Sequence, residues 1–419
     1  MKNVDTLIIG AGVTGLAYAN FCNKDYLIIE KENEAGGLCR TFYKDDFIWD
    51  YAGHFFHFKT TRLKQFFDAR IDREEIVICN KNTKIFYKGE MIDYPFQMNI
   101  HQLSKEEFID CLYDLFHREQ KENYGSFQDM LYGKFGKAIT EKFLKPYNEK
   151  LYACDLESLD VDAMGRFFPY AAPDQIIENM RKPIAHTYND TFEYPLKGAI
   201  TFIQALMKSI SSDNIWLQSK LESLDINNKM AVVNGQQIKY SRLINTMPLN
   251  RFIDFLPDGL TKELKGRLKA NKVLVFNLGF DRKSLYDDIH WLYFPDKSCN
   301  FYRVGFYDNI MNTPRLSLYV EIGFKTDDII DVETELEKTL YNLKKCGITD
   351  DHKLLAFNHV VIDPAYVHIS TETRKGVCNL LKELESYNVF SLGRYGSWTY
   401  CSIEDCMCAA LDIINKEKG

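Results

Sequence analysis

An α/β fold follows from three features of this 419-residue sequence. The apolar run 4–9 ends on Gly10-Ala11-Gly12-Val13-Thr14-Gly15 and continues as helix-compatible Leu16-Ala17-Tyr18-Ala19. A second apolar run, 26–29, ends on Glu30, about 20 residues past the first glycine, the spacing at which a neighbouring strand presents a carboxylate to a ribose hydroxyl. Strand-like text at 273–280, 291–294, 301–306 and 316–322 then adds a separate β region. The first two features describe a Rossmann-like dinucleotide-binding unit, and the third an antiparallel β-sheet substrate domain.

Each glycine of the first motif has a distinct task. Gly10 makes the tight turn, Gly12 lets the backbone approach a pyrophosphate, and Gly15 lets the helix pack on its strand. The helix N-terminus then offers free N–H groups to the phosphate charge. A lone motif of this kind can be a chance glycine-rich turn; here strand, turn, helix and acidic strand end agree. The next stretch, Gly36-Gly37-Leu38-Cys39-Arg40, resembles the segment that follows the acidic strand end in flavoproteins of the amine-oxidase-like superfamily. Two glycines allow close passage along a cofactor, and Arg40 can neutralise a phosphate. The bland alternative is a loop with a solvated arginine. FAD is the expected cofactor, held by Gly10, Gly12, Gly15, Glu30, Gly37, Leu38 and Arg40.

The remaining elements interleave. Residues 103–150 read as amphipathic helices, with Ser104 as cap and Glu107 placed for a capping box; further helical text lies at 126–132 and 138–143. Residues 215–244 alternate in short strands around Asn234-Gly235, a strong hairpin turn, and Leu221 is placed there with the cofactor set. The run 243–248 returns the chain to the flavin domain. Residues 331–345 are helical, 389–394 form a strand closing on Gly393, and 403–414 form a C-terminal helix. The expected division is a FAD-binding domain of 1–90, 191–270 and 346–419, a helical insertion of 91–190, and the β domain of 271–345.

Composition narrows the function classes. The formal net charge of −7 argues against broad binding to nucleic acid or anionic membranes, so an anionic substrate needs a few local arginines. No apolar stretch approaches the ~20 residues a membrane span needs. The eleven cysteines include no CxxC pair, and Cys401, Cys406 and Cys408 have no histidine at zinc-ligand spacing, so no metal is expected and buried free thiols are. Met1-Lys2-Asn3 runs straight into the first strand, leaving no room for a signal peptide. A cytoplasmic location is expected.

Several scattered segments together resemble the UDP-galactopyranose mutases, especially their eukaryotic-type branch. They are Trp49-Asp50-Tyr51-Ala52-Gly53-His54, Tyr94-Pro95-Phe96-Gln97-Met98-Asn99, Pro146-Tyr147-Asn148 with Arg166, Trp291-Leu292-Tyr293-Phe294-Pro295, Phe301-Tyr302-Arg303, and Gly393-Arg394-Tyr395-Gly396-Ser397-Trp398-Thr399-Tyr400. Any one could be chance, but they span nearly the whole chain in order. The resemblance implies that Gly53, His54, Gly393 and Arg394 adjoin the flavin, with His54 in a loop that senses flavin redox state. It makes Arg166 and Arg303 the diphosphate clamp, a role their planar forks suit. Tyr94, Phe96 and Gln97 would meet the nucleobase, and Asn148, Trp291, Tyr293, Tyr366 and Tyr400 the rest of the substrate. Without the resemblance each arginine reads as a surface or ion-paired residue, each tyrosine as half-buried core, and His57 as structural only.

The implied activity is interconversion of the pyranose and furanose forms of a nucleoside-diphosphate sugar, for surface polysaccharide precursors. Reduced flavin acts as nucleophile at the anomeric carbon, and NADPH or NADH supplies the electrons. The sequence departs from the family at Ala52, where glycine is usual, and at Thr399, where a basic residue is common. Segment 194–200 looks shorter than the family's glycine-rich flap, and 401–406 lacks the amide side chains often found beside the flavin. One rival reading is a FAD-dependent oxidoreductase of the amine-oxidase and protoporphyrinogen-oxidase type, which shares the fold and first motif. Another is a non-catalytic flavin-binding scaffold. Sugar, nucleotide and oligomeric state are left open.

Overall fold

The structure is a computed structural model and describes residues 1–182 and 191–416. Its first sheet is assembled from three distant stretches of chain. Strand Lys2–Ile9 lies between Tyr26–Ile29 and Gln236–Asn245, parallel to both, and Val389–Ser391 joins beyond the second half of Gln236–Asn245. Leu7, Leu27 and Leu243 pack into one apolar layer and Ile8, Ile28 and Ile244 into the opposite one, all fully buried. Parallel strands covered on both faces require such unbroken apolar text, which is why these runs were legible. The expected hairpin joins Met230–Val233 to Gln236–Asn245, with Asn234 and Gly235 both at positive φ.

The phosphate-type turn has the geometry its glycines foretold. Gly10 sits at φ +100°, and a Cβ there would fall 2.4 Å from the Thr246 hydroxyl, which itself donates to the Ile9 carbonyl. A Cβ on Gly15 would lie 2.1 Å from the Gly10 carbonyl oxygen. Helix Val13–Phe21 therefore starts directly against the turn.

The second sheet has eight strands. Lys269–Phe280 is central, with Ser317–Lys325 antiparallel on one side and Leu354–Ile362 on the other. Arg303–Phe306, Trp291–Tyr293 and the hairpin Thr83–Tyr87/Glu90–Asp93 extend it. Two boundaries of the expected division need correction. Residues 83–93, divided at 90 between the flavin domain and the helical insertion, continue the second sheet because Thr83–Tyr87 pairs in parallel with Trp291–Tyr293 and antiparallel with Glu90–Asp93. Residues 354–362, placed in the last flavin segment, form that sheet's edge. Neither pairing is local, so neither left a signal in its own stretch of sequence. The end of the 91–190 insertion lies outside the described residues.

Helices Lys105–His117, Phe127–Ile139 and Lys145–Tyr152 make the insertion, and Ser104 caps the first by accepting from the Glu107 N–H. Gly136 breaks helical geometry at φ +75° because the Asp114 carbonyl lies 2.4 Å from where its Cβ would be. A π-helical stretch, Thr140–Leu144, follows, and Lys145–Tyr152 then lies on strand Ser317–Lys325. At that contact a Cβ on Gly323 would fall 2.1 Å from the Lys150 carbonyl oxygen, whereas one on Gly259 would meet nothing.

Gly323→Ala should therefore cost about 1–3 kcal/mol through overpacking against main chain that cannot yield. Gly259→Ala, in the short helix Asp258–Thr261, should stay within about 0.5 kcal/mol of the parent. Urea unfolding of both variants measures the contrast, and equal stabilities would contradict this packing.

Candidate active site

The turn and the 36–40 loop form a cradle suited to a dinucleotide pyrophosphate. Gly12 and Gly37 face each other so closely that a Cβ on Gly37 would lie 3.3 Å from the Gly12 Cα. Gly12 caps helix Val13–Phe21 without any side-chain hydrogen bond, so the first-turn N–H groups remain available to an anion. Glu30 is buried at the strand end, its carboxylate accepting from the Ala11 and Glu32 N–H groups. That fixes its orientation and leaves lone pairs for ribose hydroxyls. Arg40 donates from Nε to the Gly37 carbonyl at 2.8 Å and covers the Tyr51 ring at 4.4 Å. Its Nη1 faces Glu34 at 3.6 Å, so the guanidinium is held rather than solvated. Leu38 packs on the main core.

The loop carrying Gly53 and His54 is pinned on its C-terminal side. Phe56 bridges to Glu193 by paired main-chain bonds, and the buried Glu404 carboxylate accepts from the Lys59 and Thr60 N–H groups. Gly53 has no room for a side chain, since a Cβ would lie 2.6 Å from the Tyr319 hydroxyl. His54 Nδ1 lies 2.9 Å from the Ala52 carbonyl, which makes Nδ1 the protonated nitrogen and Nε2 an acceptor. Burial lowers the His54 pKa to about 4, against the pull of the Ala52 carbonyl and Glu321 and with the push of Arg394 and Arg303. Ala52, the departure from glycine, is buried and tolerated.

Beside this loop lies an interior of tyrosines around two guanidinium groups. Arg303 donates to Glu321 from Nε at 2.8 Å and from Nη2 at 2.6 Å, a bidentate pair across neighbouring strands. Burial alone would lower its pKa; Glu321 and the phenols of Tyr366, Tyr319 and Tyr302 lift it instead, well above the ordinary arginine value. Arg394 lies over Tyr400 at 4.5 Å and Tyr366 at 5.3 Å. Tyr366 stacks on Tyr400, Tyr293 lies against Tyr94 and Tyr147, and Tyr147 meets Tyr302. Burial raises the phenol pKa values of Tyr94, Tyr147, Tyr293, Tyr302, Tyr319 and Tyr366, so these rings keep their O–H donors at neutral pH. Trp291 donates to the Tyr293 hydroxyl at 2.8 Å and stacks on Phe55, which orients that tyrosine.

Unpaired buried atoms mark this interior. The hydroxyls of Tyr302, Tyr319 and Tyr152, the Nε of Arg394 and the amide oxygens of Gln97 and Asn148 have no protein partner. Gln97 and Asn148 spend their amide nitrogens on the Pro169 and Leu144 carbonyls. Buried polar atoms cost stability when unsatisfied, so such a concentration suits a bound polar molecule.

Several expected residues stand elsewhere. Phe96 is fully buried, stacked on Phe143, which stacks on Tyr147; it supports the ring that faces Tyr293 rather than facing a ligand itself. Arg166 does not join Arg303. Both oxygens of Asp405 accept from its Nη2, and its side chain is 47% exposed, so it marks a rim where Phe167 packs against Tyr400. Leu221 packs its side chain into a core layer, and the preceding Gln218 and Ser219 N–H groups dock on the Glu32 and Glu30 carbonyls. The 194–200 segment is no flap: Tyr194 and the Ala199 N–H both bond the buried Asp50 carboxylate. Five of the eleven free thiols are buried, but Cys378 is exposed. Sequence reasoning missed Glu321, Tyr319 and Tyr152, and quoted Tyr147 and Tyr302 in matching segments without assigning either a role; only the strand alternation of Tyr319 and Glu321 could have put two of these on one face.

A family model described as an NAD(P)-binding Rossmann-like domain matches residues 8–70, the stretch that holds the cradle. A crystal structure of reduced UDP-galactopyranose mutase superposes with a TM-score of 0.91 at 21% identity, over 100% of this chain and 94% of that one. A putative protoporphyrinogen oxidase from Exiguobacterium sp. 255-15 gives a TM-score of 0.79 at 16% identity, over 100% and 98%. Cyclohexylamine oxidase from Brevibacterium oxydans IH-35A gives 0.68 at 13% identity, over 99% and 100%. In fold, the chain resembles UDP-galactopyranose mutase along its entire length.

Proposed function

We propose that this protein is a FAD-dependent mutase that interconverts the pyranose and furanose forms of a nucleoside-diphosphate sugar. The observation that carries the reading is the pair Arg303 and Arg394 among buried tyrosines, Arg303 beside the Tyr319 ring and Arg394 over Tyr366 and Tyr400. Two interior cations without enough carboxylates to neutralise them suit a dianionic diphosphate. They would repel a protonated amine, which sets the site apart from an amine oxidase although the fold is shared. UDP-galactose is the substrate to test first, because the chain superposes over its whole length on a UDP-galactopyranose mutase.

Gly10, Gly12, Gly15, Glu30, Gly37, Arg40 and Gly393 would hold FAD. Reduced FAD supplies the nucleophile for the anomeric carbon; NADPH or NADH is the proposed source of its electrons. The protein's own part is positional. Arg303 and Arg394 hold the diphosphate after it leaves the sugar, so that it is on hand for the return step. Tyr293, Tyr366 and Tyr400 donate hydroxyl hydrogen bonds to its oxygens, and the amide oxygens of Gln97 and Asn148 accept from base or sugar. His54, neutral, offers Nε2 as an acceptor without adding charge beside the arginines. The 51–60 loop and the tyrosine wall exclude water.

The direct experiment incubates dithionite-reduced protein with UDP-galactopyranose and looks for the furanose. Product should form without stoichiometric consumption of reductant. Oxygen uptake in step with product would favour the oxidoreductase reading, and stable FAD without turnover in either redox state the scaffold.

Arg303→Lys should keep FAD yet bind UDP about ten- to a hundredfold more weakly, because a point charge cannot hold Glu321 and a phosphate with one planar fork. Arg166→Ala should lose less, since Arg166 is engaged by Asp405 at the rim. Titration with UDP followed through Trp291 fluorescence measures both, and equal losses would return Arg166 to the clamp.

His54 should titrate near 4 in the folded protein, against 6.5 for an ordinary histidine. The unfolded chain then takes up a proton near 6.5 that the folded chain refuses until about 4, so this residue's contribution to stability is intact above 6.5 and is lost as pH falls toward 4. His54→Gln should flatten that part of the stability profile. An NMR titration of His54 with a midpoint near 6.5 would show the ring to be solvated.

A further inference from the structure

Two pairs of thiols lie within contact distance. Cys299 and Cys346 are 3.4 Å apart, both buried in the apolar layer of the second sheet, away from the arginines. Cys401 and Cys406 are 3.5 Å apart, both half-buried, at the start of helix Ile403–Lys416. The second pair occupies a crowded junction. Cys401 follows Tyr400, whose ring stacks on Tyr366 beneath Arg394. Between the two cysteines, Ser402 and Asp405 cap the helix, and Asp405 grips Arg166. Cys406 lies against the side chain of Thr14, in the first turn of the helix that follows the phosphate turn.

We propose that Cys401 and Cys406 are a reversible dithiol–disulfide site whose oxidation alters the diphosphate pocket at Tyr400. The inference rests on the mutase reading for the diphosphate pocket and for the nucleotide used in its test, while formation of the disulfide is independent of it. Chemistry and placement support it together. A hydrogen bond from Cys401 lowers the Cys406 pKa to about 7, nearby Arg394 acts in the same direction, and a thiolate in the first turn of a helix gains from the helix dipole. Cys299 and Cys346 serve as an internal contrast: their sulfur separation is similar and a hydrogen bond from Cys346 likewise lowers the Cys299 pKa to about 7, but both are buried in the apolar layer, where an oxidant has little access.

The reaction balances with a small disulfide such as oxidised glutathione. The Cys406 thiolate attacks one glutathione sulfur and expels the other as thiolate. Cys401, giving up its proton, attacks the Cys406 sulfur of the mixed disulfide and expels the second glutathione thiolate. The two protons released by the protein thiols go to the two glutathione thiolates, so the protein loses two electrons and glutathione disulfide gains two. Closing the bond draws sulfurs now 3.5 Å apart to about 2 Å. That strain falls on residues 401–406, between the Tyr400 ring and the Asp405 carboxylate.

The test uses the full chain with its flavin, equilibrated in mixtures of reduced and oxidised glutathione, and reads thiols before it reads binding. Differential alkylation and peptide mass mapping should find one disulfide, Cys401–Cys406, reversed by dithiothreitol, with Cys299 and Cys346 still alkylated as thiols after unfolding. UDP affinity should fall about tenfold on oxidation, the scale of one lost charged hydrogen bond, and should not change in oxidised Cys401→Ser or Cys406→Ser. No Cys401–Cys406 disulfide, a disulfide joining either cysteine to another thiol in its place, or a Cys401–Cys406 disulfide that leaves UDP affinity unchanged would each overturn the proposal. If the reduced protein bound no UDP while the mapped disulfide formed, the mutase reading would fail and the claim about the diphosphate pocket with it.

Discussion

Keeping Arg303 charged inside a tyrosine-lined interior is the constraint around which this molecule is arranged. Moving a guanidinium out of water costs several kcal/mol, and only a well-formed counter-charge offsets it. Glu321, with 1% of its surface exposed, supplies that charge through two short bonds. The pair exists because of strand register: Arg303 stands directly opposite Glu321, and Gly305 directly opposite Tyr319. A one-residue slip would swing Arg303 to the face where Val304, Leu318 and Val320 form an apolar layer. Gly305 is required by the same register, since a Cβ there would fall 1.8 Å from the Tyr319 ring. Tyr319 thus lies between Gly305 and Gly53, and the His54 loop is seated on the second sheet by it.

A buried carboxylate joins the cofactor side of the molecule to the substrate side. Asp50 ends the strand Phe47–Asp50 and accepts from Thr41, Tyr194 and the Ala199 N–H. Its main chain reaches the other way, the N–H donating to the Tyr307 hydroxyl and the carbonyl accepting from Asn277. Burial raises the Asp50 pKa to about 6, only partly countered by these donors. One residue therefore fixes hairpin Thr41–Asp50, strand Thr191–Pro195 and the second sheet together, four positions before His54. The segment that resembled a shortened flap is part of this knot, tied to Asp50 at both Tyr194 and Ala199.

The first motif was legible because its physics is local: a buried strand, a turn that needs glycine and a helix start lie within fifteen residues. The hairpin at Asn234-Gly235 and the cap at Ser104 were legible for the same reason. The second sheet was only half visible, because Thr83–Tyr87 and Leu354–Ile362 take their places through partners some 200 and 80 residues away. Arg303, Arg394, Tyr293 and Tyr366 were expected at the site through family likeness, and packing sets all four among buried tyrosines. Phe96 and Arg166 were misplaced for opposite reasons. An aromatic beside Tyr94 reads equally as face or support, and nothing near Arg166 in sequence reveals that Asp405, 239 residues on, holds it. Glu321 was invisible because a carboxylate in a strand looks solvated until its cross-strand neighbour is known.

The short helix Gly393–Gly396 shows why the site needs both halves of the fold. Gly393 is packed so tightly on the helix after the phosphate turn that a Cβ would lie 2.3 Å from the Thr14 hydroxyl. The very next residue, Arg394, lies over Tyr366 and Tyr400. A single peptide therefore sets the distance between the cofactor cradle and one arginine, while the register of the second sheet sets the other arginine on Glu321. Tyr366 lies beneath Arg394, and its own main-chain N–H is held by Asn271 on the central strand. Each half of the fold thus anchors one arginine: the Gly393–Gly396 turn holds Arg394 beside the cradle, and strand register holds Arg303 on Glu321.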